Sequence, residues 1–197
     1  MAKIVLASGN AGKVREFNAF LADIGMDFVR QSDLGVSDAD ETGLSFVENA
    51  LLKARHAAQQ TGLPAMADDS GLVVDALNGA PGLYSARYAG IPSNDAANNA
   101  KLLHALQDVP ENARTARFVC CIVYLRHALD PIPVIAQATW EGHILTAAQG
   151  TNGFGYDPLF FVPTHACSSA ELDPAEKNRI SHRGQALRKL HELLVQA

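Results

Sequence analysis

Residues Ser8-Gly9-Asn10-Ala11-Gly12-Lys13 stand between a β-branched apolar run and a segment of helical periodicity. A helix N-terminus presents backbone N–H groups and the positive end of its dipole, so a turn feeding one can hold a phosphate. Ser8, Asn10 and Lys13 add a hydroxyl, an amide and a cation at that point. The spacing is not that of a P-loop, G-x-x-x-x-G-K-[ST]. The glycines are three apart, and Val14 follows the lysine where Ser or Thr would bind magnesium. If the turn holds a triphosphate, the metal must be held elsewhere. The same residues also read as a plain tight turn.

Carboxylates at Glu41, Asp68 and Asp69 could supply what the turn lacks. Neighbouring acids at a strand end are costly unless a cation offsets their repulsion. Magnesium takes oxygen ligands, keeps several waters, and uses one or two carboxylates together with substrate phosphates. One of the aspartates could also polarise an attacking water. Asp68-Asp69-Ser70-Gly71 reads equally as a turn with solvated acids, and Lys53 as either a phosphate ligand or a surface lysine.

Gly153-Phe154-Gly155-Tyr156-Asp157 sets two aromatics between small residues. An aromatic face stacks a nucleobase for about 1–3 kcal/mol; core packing is the alternative for Phe154 and Tyr156. Lys177, His182 and Arg183 gather about the start of the last helix, where cations oppose the dipole and need an anionic partner. Arginine donates to a carbonyl oxygen such as purine O6 but meets an exocyclic amine donor to donor, which disfavours adenine.

The elements that must position these groups follow from periodicity. Residues 3–7 (KIVLA) read as a buried strand, followed by a helix with Val14, Phe17, Leu21 and Ile24 on one face and Gly25 as its cap. The pair Ser45 and Glu48 forms a capping box for a second helix that Gly62 ends. Residues 63–67 and 72–76 read as two strands with the Asp68–Gly71 turn between them, and 78–92 as a long ordered loop. A helix is expected over 95–107, and strands over 117–125 and 134–140 could form a hairpin around 127–133. The final helix starts at Ser181 or His182 and buries Ala186, Leu187, Leu190 and Leu194.

Composition narrows the function. At 197 residues and 48% hydrophobic, the chain can bury a core without a structural staple. Its net charge of -5 argues against a sequence-independent nucleic-acid surface, which would need a basic face. Cys120 and Cys121 are adjacent in an expected strand, Cys167 stands alone, and there is no C-x-x-C pair. The apolar run at 118–125 falls far short of the roughly 20 residues that span a bilayer. The N-terminal run is too short for a signal peptide, so no membrane partner and a cytoplasmic location are expected.

Six segments taken in order resemble the inosine triphosphate pyrophosphatase family, closest to its bacterial RdgB-like members. They are SGNAGKVREF, ETGLSFVENALLKA, ADDSGLVVDAL, APGLYSARY, GFGYDPLFF and EKNRISHRGQAL, and they span essentially the whole chain. The resemblance implies a single elongated α/β domain over 1–197, with a long mixed β-sheet flanked by helices. It further implies two lobes sharing that sheet, a substrate cleft between them, and usually a homodimer. It implies a Mg2+-dependent hydrolase that converts a purine nucleoside triphosphate (dITP, ITP or XTP) to the monophosphate and pyrophosphate.

Residue by residue, the resemblance implies that the turn Ser8, Gly9, Asn10, Ala11, Gly12 and Lys13 holds phosphate, while Glu41 and Asp69 face the metal. Asp69 is the implied proton acceptor, with Asp68 beside it and Lys53 near the phosphates. Ser70 joins the substrate site; Phe154, Gly155, Tyr156 and Asp157 cover the base, with Phe154 as the stacking ring; Lys177, His182 and Arg183 complete the contacts. Two positions depart from the pattern: Ser8, where Thr is common, and Asn152, where Gly is common. The rival readings are a Maf-like pyrophosphatase for pyrimidine or modified nucleotides and a nucleotide-binding regulator without turnover. The GFGYD and SHR segments argue against the first, and the intact acids at Glu41, Asp68 and Asp69 against the second.

Overall fold

Alternating strand and helix signals resolve into α/β architecture in the structure, a computed structural model that describes residues 2–196. Met1, which opens the N-terminal apolar run, and Ala197 lie outside it. The chain runs β1 (Ala2–Leu6), α1 (Ala11–Phe20), β2 (Met26–Arg30), α2 (Phe46–Thr61), β3 (Ala65–Val74) and α3 (Asp95–Ala105). It continues through β4 (Thr115–Leu125), β5 (Val134–Ile144), β6 (Phe160–Val162), β7 (Cys167–Ser168), α4 (Pro174–Ile180) and α5 (His182–Gln196). Among the described residues, seven strands lie in the order β2-β1-β3-β4-β5-β6-β7. β1 pairs in parallel with β2 and β3, while β6 pairs antiparallel with β5 and β7, so the sheet is mixed. Among the described residues no helix is long and apolar enough to cross a membrane.

The chain divides into two compact units. Of the described residues, the first contains 2–69, 120–138 and 185–196; the second contains 70–119 and 139–184. In the first, the period of two along each strand sorts side chains onto opposite faces. Ile4, Leu6, Met66, Cys120 and Ile122 pack with Phe17 of α1 and with Ala186, Leu187 and Leu190 of α5. Val5, Ala7, Ala65, Ala67, Cys121 and Val123 face the other way, onto Ala50, Ala54, Ala57 and Ala58 of α2. Cys120 and Cys121 therefore fill different cores, as their adjacency in a strand requires.

In the second unit, Leu72, Leu102, Leu106, Phe118, Trp140, Ile144, Tyr156 and Phe160 make the core. His182 lies against this aromatic cluster, its ring stacked on Phe118 at 4.8 Å between centroids and an interplanar angle of 13°.

The structure corrects the sequence reading in four places. Residues 63–76 do not form strand, turn and strand, because Asp68 and Asp69 sit inside the single ten-residue strand β3. Strand β2 was not expected: of its five residues only Phe28 is buried, so it carries no alternation. Helix α4 was also missed, although Asp173 caps it through its side chain and Pro174 occupies its first turn. The first helix stops at Phe20, and Leu21 passes into a 3-10 turn that Gly25 ends with φ +75°. The predicted start of α2 holds, with Ser45 as N-cap and Gly62 closing the helix in the left-handed region. Glu48 turns back onto the Leu44 N–H at 2.9 Å and the Ser45 hydroxyl at 2.6 Å.

Candidate active site

In the first unit, α1 begins at Ala11, so Gly12 and Lys13 belong to its first turn rather than to a loop. Asn10 is the N-cap: its Oδ1 accepts the N–H groups of Gly12 at 2.8 Å and Lys13 at 3.3 Å. The Ser8 hydroxyl accepts the Asn10 N–H at 3.1 Å. Two amides expected to face a phosphate are therefore held by Asn10.

Strand parity decides where the two aspartates go. Asp68 points to the α1 side, where its two carboxylate oxygens accept from Lys13 Nζ at 2.8 and 2.9 Å. Asp69 points to the α2 side, where Oδ1 accepts from Lys53 Nζ at 2.8 Å. The same ammonium lies 2.8 Å from Glu41 Oε1. Glu41 and Asp69 thus converge on one cation, while Asp68 belongs to a separate pair on the opposite face. Burial pushes the Asp69 carboxyl above its ordinary value, partly offset by the Lys53 charge, with Glu41 and Asp68 adding repulsion. For Lys53 burial opposes the charge, but Asp69 and Glu41 outweigh it and the pKa rises.

Sequence reasoning missed a residue that fastens the backbone two positions after Glu41. Asn49, buried on α2, accepts the Gly43 N–H through Oδ1 at 2.8 Å. A Cβ on Gly43 would come within 2.6 Å of the Glu48 Cβ and 2.7 Å of Asn49 Oδ1, so only glycine fits this approach. The E-T-G-x-S-x-x-E-N spacing held the signal, since a buried asparagine after a capping box needs a backbone partner.

The second unit holds the other predicted group. Phe154 is 68% exposed, whereas Tyr156 is only 4% exposed and donates its hydroxyl to the Ser85 carbonyl at 2.7 Å. The core-packing alternative therefore holds for Tyr156 and fails for Phe154. Asp157 is buried and organises the loop: it accepts from the Phe154 N–H at 2.8 Å, from the Ser169 hydroxyl at 2.9 Å, and from Lys177 Nζ. Asp157 is the anionic partner that Lys177 requires, and the Lys177 ammonium also lies 5.3 Å from the Phe154 ring centroid. Gly153 has φ +79°, and a Cβ there would meet Asp157 Oδ2 at 2.1 Å. His182 and Arg183 open α5 and are half-buried, and Ser70 is half-buried on β3.

Lys177 is carried on α4, whose neighbouring Glu176 binds Arg179 at 2.6 Å and His165 at 2.9 Å. The hydrogen bond from Arg179, partly offset by desolvation and reinforced by His165, holds the Glu176 carboxyl down to about 2. A carboxyl depressed in the folded state adds stability above its unfolded value of 4.5, and that contribution fades as pH falls toward 2. Glu176→Gln should therefore be the less stable protein at pH 6 in chemical denaturation, and its deficit should shrink steadily as pH is lowered from 4.5 toward 2. A difference between the two that is constant across this range would refute the assignment.

Carboxylates that close on a cation suit polyphosphate chemistry, and the chain's relatives carry that name. This chain belongs to the Ham1 family, whose model matches residues 4–193. It is 64% identical over 193 residues to a dITP/XTP pyrophosphatase of Thioalkalivibrio sulfidiphilus, covering 98% of each. It is 60% identical over 194 residues to a dITP/XTP pyrophosphatase of Vibrio cholerae, covering 98% of this chain and 97% of that one. The solved structure of a HAM1 protein from Coxiella burnetii, 52% identical, superposes with a TM-score of 0.96 over 100% of both chains. The mixed α/β fold expected from the six segments is the fold of this solved relative.

Proposed function

We infer that this protein hydrolyses non-standard purine nucleoside triphosphates, dITP, ITP and XTP, to the monophosphate and pyrophosphate. The observation that carries the reading is the convergence of Glu41 and Asp69 on one cation, in a chain 60% and 64% identical to dITP/XTP pyrophosphatases. The donor set fits Mg2+, being carboxylate oxygens that already accommodate a positive charge, although among the described residues no group of three or more His, Cys, Asp or Glu gathers as a metal cage. Two carboxylates plus substrate phosphates are what this ion commonly takes. When bound it would neutralise phosphate charge and make an attacking water more acidic.

The residues of the first unit take the triphosphate. Lys13, oriented by Asp68, and the Ser8 hydroxyl bind phosphate oxygens, and an entering phosphate takes over the amides that Asn10 caps. Lys53 moves from the carboxylates toward the phosphates. Asp69 accepts the proton of the attacking water; burial raises its basicity toward the range useful to a base at neutral pH. Cleavage falls between the α and β phosphates. In the second unit the exposed Phe154 stacks the base, and Lys177, His182 and Arg183 complete its surroundings. The reading extends to a homodimer acting in the cytoplasm, the oligomer being measurable by light scattering.

A panel of dITP, ITP, XTP, GTP, dTTP and UTP, assayed for pyrophosphate with and without Mg2+, tests it. Turnover of the first three, lost on chelation, is expected. Preference for the pyrimidines, or release of orthophosphate one at a time, would overturn the reading. Phe154→Ala should raise KM for dITP about tenfold, matching a lost stack of about 1–3 kcal/mol, with kcat changed less than threefold.

A further inference from the structure

The loop that carries Phe154 is fastened from two sides, and the outer side uses residues outside the proposed site. Asp95 Oδ2 accepts the Gly155 N–H at 2.7 Å, and Asn99 Nδ2 donates to the Gly155 carbonyl at 2.9 Å. Asp95 and Asn99 are one helical turn apart on α3, so they present a common face. Both polar groups of Gly155 are thereby taken by side chains 60 and 56 positions away in sequence. Gly155 itself has φ +60°, a conformation the loop must hold without help from a side chain.

The Asn99 amide has no freedom to turn over. Its Oδ1 is buried and, among the described residues, has no hydrogen-bond partner. Reversal would set that oxygen against the Gly155 carbonyl oxygen, acceptor facing acceptor. Leaving a buried amide oxygen unsatisfied is unfavourable, and here it accompanies a donor committed to the loop. Phe154 meanwhile stays 68% exposed although the residue after it is tied at both ends. An exposed aromatic on a fastened backbone is preorganised for a flat partner.

We propose that Asp95 and Asn99 are positioning residues for base recognition, holding Gly155 so that the Phe154 ring is already presented to a purine. The inference rests on the purine triphosphate reading above. Losing either contact leaves the loop to be ordered during binding, which weakens base recognition and spares the phosphates.

The test compares dITP turnover with inhibition by inorganic tripolyphosphate, which lacks a base. Asp95→Ala and Asn99→Leu should each raise KM for dITP about fivefold, with kcat and the tripolyphosphate Ki within twofold of the wild type. Asp95→Asn, which keeps an accepting oxygen, should restore KM to within twofold. Asn99→Asp, which sets a carboxylate against the Gly155 carbonyl, should be the most impaired. In a Phe154→Ala background the same substitutions should add less than twofold, since the ring they orient is gone. Unmoved KM in the variants, an equal rise in the tripolyphosphate Ki, or effects that multiply with Phe154→Ala would overturn the inference alone. Absence of dITP turnover in the unmodified protein overturns the functional reading and the inference with it.

Discussion

Asp69→Asn should lower kcat for dITP by about a thousandfold, the middle to upper part of the range that a positioned general base contributes. The substitution is nearly isosteric, and its amide oxygen can still accept from Lys53, which sits 2.8 Å from the native carboxylate. Shape and the Lys53–Glu41 pair are thus retained, while the negative charge and the proton-accepting capacity are lost. Nucleotide binding, measured directly by calorimetry on the slow variant, should stay within about fivefold if other groups supply most of the affinity. The parallel substitution Asp68→Asn acts on the opposite face of β3, where the carboxylate orients Lys13. It should therefore raise KM more than it lowers kcat. A kcat within tenfold of the wild type for Asp69→Asn removes that residue from the role of base. Equal kcat losses in the two variants would mean that the strand's alternation does not separate their roles.

That separation was the least legible part of the site in sequence. Asp-Asp-Ser-Gly has the composition of a turn, and local preference alone places the acids at a strand end. What overrides it is tertiary: Ala65, Met66 and Ala67 before them and Leu72 after them are buried in cores, and lysines from two helices meet the two charges in the strand. The lysines that make the strand possible lie 55 and 16 positions away. No window of sequence contains both halves of that argument.

Helices were more legible because their signals are local. Ser45 with Glu48, and Gly62 at the far end, bound α2 as read. Asp173-Pro174 is an equally plain start signal, but the seven residues it opens offer little periodicity. Phe154 and Tyr156, two apart, could not be told from each other by type. The structure buries one under Ser85 and leaves the other exposed. Asp95 and Asn99 carry the helical spacing of a shared face, but their partner is a peptide group, which leaves no residue-type signal at the far end of the contact.

The largest effect on stability should come from Gly184→Ala. Helix α4 ends at Ile180 and α5 starts at His182, so the first turn of α5 comes directly against the end of α4. Gly184 is buried there, and its N–H reaches Ser181 Oγ at 3.2 Å. A Cβ at this position would stand 1.7 Å from the Asn178 carbonyl oxygen and 2.9 Å from its carbon. Both obstacles are backbone, so no rotamer change relieves them and the helices must part. Forcing extra volume into a packed site costs about 1–3 kcal/mol, occasionally more, and the backbone clash places this case at about 3 kcal/mol. At roughly 2–4 °C per kcal/mol for a chain of this size, Tm should fall by about 6–12 °C. Parting the helices also moves His182 and Arg183 relative to Lys177, so kcat/KM for dITP should drop more than tenfold even at temperatures where the variant is folded. Inhibition by tripolyphosphate should be unaffected. Gly9→Ala serves as the stability control, because a Cβ there meets nothing within 4 Å, and its Tm should stay within about 2 °C of the wild type. A Gly184→Ala protein that melts with the wild type would show that α4 and α5 do not meet as closely as the backbone requires.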